Sequence, residues 1–132
     1  MLSKVLIVED DINLNRLLSR GFLSAQFHAI AVHNLAAALE ALQSEVIEFV
    51  VLDLGLPDCD GWEVVRRIET LSLDYPAPQI IIVTGRDPAE ALPENATGYS
   101  ILQKPVSLNT LIRLAFDLRQ QVTVQKLRNQ SL

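Results

Sequence analysis

Short runs of apolar, largely β-branched residues alternate along the chain with segments in which apolar residues recur at helical spacing. The runs that predict strands cover residues 4–8, 28–32, 49–53, 79–83 and 99–102. Such alternation is typical of strand–helix units that build a parallel sheet. The first, third and fourth runs are almost continuously apolar, which predicts central strands buried on both faces. The pattern therefore predicts a three-layer, doubly wound α/β domain with five parallel strands and five helices.

Two of the predicted helices begin after a polar capping residue. Asp11 precedes the first helix and Asn34 precedes the second, and both side chains can accept a hydrogen bond from the first helical turn. The buried apolar positions predicted for the first helix are Leu14, Leu17, Leu18, Phe22 and Leu23, and those for the second are Leu35, Leu39 and Leu42.

The later helices are less regular in sequence. A third helix is predicted over residues 61–71, whereas Pro88 and Pro93 make a fourth, over 87–98, short or kinked. Ser107 opens a long fifth helix whose apolar positions are Leu108, Leu111, Ile112, Ala115 and Leu118. We expect a domain over residues 1–120 and a helical extension, linker or tail over 121–132, which could lengthen the fifth helix, bind a partner or fray.

Composition limits the class of protein. A chain of 132 residues, about half of them apolar, fits one domain with a full core. The single cysteine, Cys59, excludes an internal disulfide framework and suits a reducing compartment. No apolar run approaches the roughly 20 residues that cross a bilayer, and no signal peptide is evident. A net charge of −5 argues against direct nucleic-acid binding, so we expect a cytoplasmic protein without membrane contact.

Polar side chains follow the predicted strands at one end of the sheet. Glu9 and Asp10 follow the first strand, Asp53 ends the third, Thr84 follows the fourth and Lys104 follows the fifth. The carboxyl ends of parallel strands meet at one edge, which is where open α/β sheets bind ligands. We expect these five residues to form one site.

The chemistry of that site favours a divalent cation and a phosphoryl group. Glu9, Asp10 and Asp53 offer the hard oxygen ligands that Mg²⁺ prefers, and clustered carboxylates are costly to hold together without a cation. Lys104 can pair with phosphoryl oxygens as a point charge, and Thr84 can donate a hydrogen bond to them. Phosphoryl transfer requires mainly positioning and neutralisation of charge.

Four segments, taken in order, resemble the receiver domain of two-component response regulators. They read VLIVEDD at 5–11, VVLDLGLPDCDGWE at 50–63, IIIVTG at 80–85 and LQKP at 102–105. The resemblance extends from residue 4 to about 118 and implies the flavodoxin-like (βα)5 fold of receivers.

The resemblance also implies roles for individual residues. Asp53 is then the phosphoacceptor, Thr84 the switch hydroxyl and Lys104 the phosphate partner, with a cis peptide bond between residues 104 and 105. For Mg²⁺, it implies Asp10 as a direct ligand, Asp53 as a further ligand, ligation by Glu9 directly or through water, and a main-chain carbonyl from Gly55.

The chain departs from the receiver pattern in three places. The family usually has Tyr or Phe three residues before the lysine, where this chain has Ile101. Tyr99 lies two residues earlier and could share a strand face with Ile101, although it cannot occupy the same place. The interval from Thr84 to Lys104 is slightly short, and Gly55 is bare where many relatives carry a side chain.

Three functions remain to be compared. The first is a regulatory receiver, not an enzyme, phosphorylated by a histidine kinase or phosphotransfer protein, with an output and homodimer face formed by the fourth helix, fifth strand and fifth helix. The second is a receiver-like interaction module that works without phosphorylation. The third candidate is a flavodoxin-like cofactor enzyme. The sequence lacks the phosphate loop expected for it, since acids follow the first strand.

His28 and His33 are interpreted as strand and loop residues, not phosphorelay histidines. The sequence leaves open whether the chain works alone or belongs to a longer regulator.

Overall fold

The computed structural model describes residues 3–56, 61–85 and 99–130. Within them the strands are β1 (Lys4–Val8), β2 (His28–Val32), β3 (Phe49–Asp53), β4 (Gln79–Thr84) and β5 (Ser100–Gln103). The helices are α1 (Ile12–Ser24), α2 (Leu35–Ser44), α3 (Gly61–Thr70) and a C-terminal helix (Leu108–Gln130). The strand and helix predictions agree with these bounds to within one or two residues. The helix predicted over 87–98 lies outside the described residues.

All five strands pair in parallel in the order β2-β1-β3-β4-β5. Side chains from the sheet enter two separate apolar clusters, because neighbours along a strand point to opposite faces. Leu6 and Val8 lie in the cluster that also contains α2 and α3 residues, whereas Val5 and Ile7 lie in the cluster with α1 and the C-terminal helix. This is the predicted three-layer arrangement.

The burial of each strand follows its place in the sheet. Every residue of β3 is buried, as are all residues of β1 and β4 after the first. The two edge strands, β2 and β5, are mostly part-exposed. The near-continuous apolar runs thus identify the three central strands correctly.

Polar residues fix the start of three helices. The Asp11 carboxylate accepts from the main-chain N–H groups of Asn13 and Leu14 at 3.0 and 3.1 Å. Asn34 caps α2 through the N–H of Ala37 at 2.9 Å, and Ser107 accepts from the N–H of Thr110 at 3.0 Å. Each cap satisfies helix N–H groups that have no partner within the helix, and the predicted caps Asp11 and Asn34 are confirmed.

The predicted buried face of α1 is partly wrong. Leu17 and Leu23 are 58% and 62% exposed, whereas the buried positions are Asn15, Leu18 and Phe22. These three lie at the i, i+3, i+7 spacing that places residues on one helical stripe. The face of α1 that is buried against the sheet is therefore narrow and includes a polar residue, and the two leucines beside it are exposed to solvent.

Two other predicted faces are narrower than expected. In α2, Ala38 and Leu42 are buried while Leu35 and Leu39 are part-exposed. In the C-terminal helix, full burial is confined to Leu111 and Ala115 among positions 108–121. Alanine is buried in both helices because a small side chain allows the helix to approach the sheet closely. The C-terminal helix continues through residues 121–130.

Candidate functional site

Four of the predicted site residues come together at the carboxyl edge of the sheet. Glu9 directly follows β1 and Asp53 ends β3, and these strands are neighbours. Carboxylate oxygens of Glu9, Asp10 and Asp53 all lie within 4.8 Å of one another. Lys104, just after β5, reaches the same point from the far side of β4.

The acidic cluster combines buried and exposed carboxylates. Glu9 and Asp53 are 4% and 8% exposed, whereas Asp10 faces solvent. Two carboxylates removed from water at this separation repel each other strongly, since little solvent screens them. The cluster therefore requires positive charge in contact with it.

Lys104 supplies part of that charge. Its Nζ lies 3.2 Å from Oδ2 of Asp53 and 3.5 Å from Oε2 of Glu9. Its main-chain N–H donates to the carbonyl of Thr84 at 2.7 Å, which carries the β4–β5 pairing one residue further. The Lys104–Pro105 peptide bond is cis, as the resemblance predicts.

The surroundings shift the acid–base behaviour of Glu9 and Lys104. Burial, repulsion by Asp53 and a hydrogen bond shared with Asp53 raise the pKa of Glu9 to about 7, although Lys104 and the N–H of Asp11 oppose the shift. Burial acts to lower the pKa of Lys104, but attraction to Asp53 and Glu9 outweighs it and raises that pKa. At neutral pH the pocket thus holds a lysine cation and a glutamate that is easily protonated.

The second oxygen of Asp53 is held by the main chain. The N–H of Gly55 donates to Oδ1 at 3.0 Å, while Lys104 holds Oδ2. A Cβ at Gly55 would stand 3.6 and 3.9 Å from the two Asp53 oxygens, which is ordinary contact distance. The bare glycine therefore leaves open the space beside the carboxylate that a side chain would occupy.

Thr84 is joined to the site through its main chain. It ends β4, is 2% exposed, and its carbonyl accepts the Lys104 N–H. The strand register pairs Asp53 with Val83, so Thr84 lies one residue beyond the level of Asp53 on the neighbouring strand. The role of its hydroxyl at the site stays a prediction.

A small cavity lies beneath the charged groups. Its volume is about 40 Å³, and Glu9, Asp53 and Lys104 line it together with apolar side chains. A cavity of this volume with several polar partners is large enough for a water molecule.

The donor set fits a divalent cation. Three carboxylates and one lysine leave a formal charge of −2 when all four are ionised, which one divalent ion balances. The ligand atoms are all hard oxygens, and exposed Asp10 leaves one side open for water, as Mg²⁺ requires. Burial, followed by repulsion from Asp53, raises the pKa of Glu9, and a bound divalent ion would relieve the repulsion.

The position of the missing aromatic residue is packed and aliphatic. Ile101 and Tyr99 both contact the apolar cluster on the α2–α3 side of the sheet, so they share a face, as predicted. Tyr99 packs edge-on against Trp62 of α3, with ring centroids 6.2 Å apart. Trp62 lies in α3, which follows Asp53 along the chain, and Tyr99 directly precedes β5, which leads to Lys104. The ring contact therefore connects the segment after Asp53 with the segment before Lys104.

Sequence reasoning missed two residues that contact Glu9. Asn15 is completely buried and donates to the Glu9 carbonyl at 3.1 Å, and Nδ1 of His33 lies 3.0 Å from the same oxygen. The available signal was the spacing of Asn15 with Leu18 and Phe22, which places a polar residue on the apolar stripe. His33 carried no such signal, because it lies in the loop after β2.

Fold and site together define a doubly wound α/β domain with a carboxylate cluster and a lysine at the carboxyl edge of its sheet. The model of the response regulator receiver domain matches residues 5–116. The chain is 29% identical over 116 residues to the response regulator receiver protein CpdR of Brucella abortus, covering 84% of this chain and 92% of that protein. It is 34% identical over 110 residues to the swarming motility regulation protein RssB of Serratia marcescens, covering 82% of this chain and 49% of that protein.

A solved structure supports the fold. The CheY-like response regulator receiver domain from Methylobacillus flagellatus superposes with a TM-score of 0.79, covering 89% of this chain and 98% of that one, at 24% identity. The chain belongs to the response regulator receiver family. It spans nearly all of CpdR but about half of RssB.

Membership defines the general class of activity. Receivers are regulatory phosphoacceptor domains of two-component systems; they interact with histidine kinases or phosphotransfer proteins and typically use Mg²⁺. Within the described ranges, none of the helices has the length and apolar character needed to cross a bilayer.

Proposed function

We propose that Asp53 accepts a phosphoryl group from a phosphohistidine of a histidine kinase or phosphotransfer protein. The observation that carries the proposal is the Asp53 carboxylate, held at the sheet edge by Lys104 on one oxygen and by the Gly55 N–H on the other. An Asp53 oxygen attacks phosphorus, the phosphorus–nitrogen bond breaks, and its electron pair leaves with the imidazole of the donor. The product is an acyl phosphate on Asp53.

The chain's own groups stabilise the transferred charge. Lys104 already lies 3.2 Å from Asp53 and can pair with phosphoryl oxygens. The Thr84 hydroxyl is positioned one residue further along β4 and can donate to them once the phosphoryl group is attached. Glu9, Asp10 and Asp53, with the Gly55 carbonyl, would hold Mg²⁺. The bound ion would neutralise charge on the phosphoryl oxygens.

Modification by a small phosphodonor tests the proposal. With acetyl phosphate and Mg²⁺, the wild-type chain should gain the mass of one phosphoryl group, and Asp53→Asn should gain none, because an amide is not a nucleophile for this reaction. Asp117→Asn makes the same chemical change at an exposed position of the C-terminal helix and should be phosphorylated normally. Phosphorylation of Asp53→Asn at the wild-type rate would contradict the assignment.

A receiver-like module that works without phosphorylation is the second candidate. Ile101 favours it, since a β-branched aliphatic residue cannot reproduce the movement of a tyrosine or phenylalanine ring. The two candidates differ in whether a phosphoryl group alters residues beyond the site.

Other features remain predictions. The homodimer face involves residues 87–98, which lie outside the described residues. The absence of direct nucleic-acid binding rests on the net charge of −5. Cytoplasmic location rests on composition.

A further inference from the structure

Asn15 is an unusual residue on the buried face of α1. It is 0% exposed, although an asparagine amide is costly to bury unless it is fully hydrogen-bonded. Its Nδ2 lies 3.3 Å from the Ile7 carbonyl, 3.1 Å from that of Glu9 and 3.0 Å from that of Val32. Its Oδ1 accepts from the Ser19 hydroxyl at 3.1 Å. The opposite amide orientation would direct an oxygen at three carbonyls, so these contacts fix the side-chain orientation.

His33 contacts the same carbonyl from the other side. Its Nδ1 lies 3.0 Å from the Glu9 oxygen. A carbonyl oxygen can only accept, so Nδ1 must carry the hydrogen. The Glu9 carbonyl therefore receives two side-chain donors, one from α1 and one from the loop after β2.

Every other polar group of Glu9 is also held. Its N–H donates to the Val32 carbonyl at 3.1 Å, and its Oε1 accepts from the N–H of Asp11 at 3.2 Å. Its Oε2 lies 3.5 Å from Lys104. The main-chain contacts fix the position from which the side chain starts, and the contacts of Asp11 and Lys104 hold the carboxylate towards Asp53.

We propose that Asn15, assisted by His33, is a positioning residue that holds Glu9 in the acidic cluster against repulsion by Asp53. Without these contacts the main chain just after β1 would be free to shift, and the repulsion would carry the Glu9 carboxylate away from Asp53. Asn15 prevents this by joining the carboxyl ends of β1 and β2 to α1. The cluster is thereby organised for a divalent cation before the cation arrives, which reduces the ordering that binding requires.

The inference rests on the proposed function, in which Glu9 takes part in Mg²⁺ binding. Residues behind metal ligands typically affect metal affinity by about ten- to a hundredfold. A residue that only supported the core would lower stability without changing the affinity of the folded protein. Affinity and stability must therefore be measured separately.

Mg²⁺ titration by two-dimensional NMR, which observes the folded protein, tests the inference together with thermal unfolding. Asn15→Leu keeps the number and branching of the side-chain heavy atoms but removes the donors, and should raise the Mg²⁺ dissociation constant about tenfold. Phe22→Leu, two turns along the same buried stripe, is the matched control. It should lower the unfolding temperature while leaving the dissociation constant unchanged.

Variants of exposed His33 keep the test decisive if Asn15→Leu does not fold. His33→Phe removes the second donor and should raise the dissociation constant by a smaller factor, about threefold by the same reasoning. His33→Asn restores an amide hydrogen near the position of Nδ1 and should recover the wild-type value.

The outcomes separate the two proposals. If Asn15→Leu behaves like Phe22→Leu, or if it fails to fold and His33→Phe binds Mg²⁺ normally, the positioning role is wrong. If the wild-type chain itself neither binds Mg²⁺ nor accepts phosphate, the proposed function is wrong instead.

Discussion

At the scale of single residues, the site is a balance between two buried carboxylates and one lysine. Glu9 and Asp53 have lost most of their hydration, which costs free energy. The attraction to Lys104 offsets only part of that cost, because the lysine side chain is 30% exposed and its charge is screened by solvent. The pKa of Glu9 is therefore raised by burial and by Asp53 despite the lysine contact. The metal-free state should be destabilised whenever Glu9 is ionised.

The pH dependence of stability tests this balance. Glu9 has a folded pKa of about 7 against an ordinary value of 4.5, so the folded state binds more protons between these values. The contribution of Glu9 to the free energy of unfolding should then fall as pH rises from 4.5 to 7, by on the order of 2 kcal/mol. Without metal, Glu9→Gln should be more stable than wild type above pH 7, and the difference should shrink towards pH 4.5.

The measurement is thermal unfolding in the presence of a chelator across this pH range. Glu69→Gln, which changes an exposed glutamate at the end of α3, is the control and should follow the wild-type profile. Parallel profiles for wild type and Glu9→Gln would show that ionisation of Glu9 does not destabilise the folded protein as predicted.

At the scale of elements, the contact between α1 and the C-terminal helix depends on a glycine. A Cβ added at Gly21 would lie 2.2, 2.5 and 2.7 Å from Cδ2, Cδ1 and Cγ of Leu108. Because Cγ is involved as well as both methyl carbons, rotation about the Cβ–Cγ bond cannot clear the contacts, and Leu108 would have to change its χ1 rotamer or the helices would have to separate. Gly21 thus allows the C-terminal helix to approach α1 immediately after the Lys104–Pro105 turn.

Gly21→Ala should therefore destabilise the protein, even though alanine is favoured over glycine inside a helix by about 1 kcal/mol. Overpacking of this kind costs about 1–3 kcal/mol. The sign should reverse in a Leu108→Ala background, where the space is free and only the helix preference remains. Chemical unfolding of the four variants in this cycle measures the coupling, and additive effects would mean that the two residues do not compete for space.

At the scale of the whole molecule, the sheet order brings together residues that are distant in sequence. β1 and β3 are neighbours although α1, β2 and α2 separate them along the chain, and β4 lies between β3 and β5. The site therefore draws on residues at the ends of β1, β3 and β4 and just after β5, and Asp53 contacts Lys104 directly. The Trp62–Tyr99 contact offers a route for a change at Asp53, because it connects α3 with the residue before β5.

Beryllofluoride, a mimic of the phosphoryl group, should reveal whether that route operates. With Mg²⁺ present, we expect amide shifts at Asp53 to extend to Thr84, Ile101 and Lys104, and the fluorescence of Trp62, the single tryptophan, to change. Tyr99→Phe should preserve the fluorescence response because it keeps the ring, and Tyr99→Leu should reduce it. Shifts confined to the immediate surroundings of Asp53, with no response from Trp62, would favour the phosphorylation-independent module.

Much of the architecture followed from local pattern alone. Continuous apolar runs identified β1, β3 and β4 as central because a strand buried on two faces has no room for polar side chains. Asp11 and Asn34 marked helix starts because capping is a local interaction. The site residues Glu9, Asp10, Asp53 and Lys104 could be grouped because parallel strands place their carboxyl ends at one edge.

Only the tertiary structure decided which side of each helix is buried and what supports the site. Leu17 and Leu23 satisfied the helical period but lie in solvent, while polar Asn15 is fully buried. Periodicity measures hydrophobicity around one helix, and it cannot register that three carbonyls, from β1, the residue after it and β2, converge on one amide. The sequence by itself determined the parallel fold and the acidic edge. The contacts of Asn15, His33 and Gly21 were decided by how separate elements meet, since each depends on distances between residues that no local pattern contains.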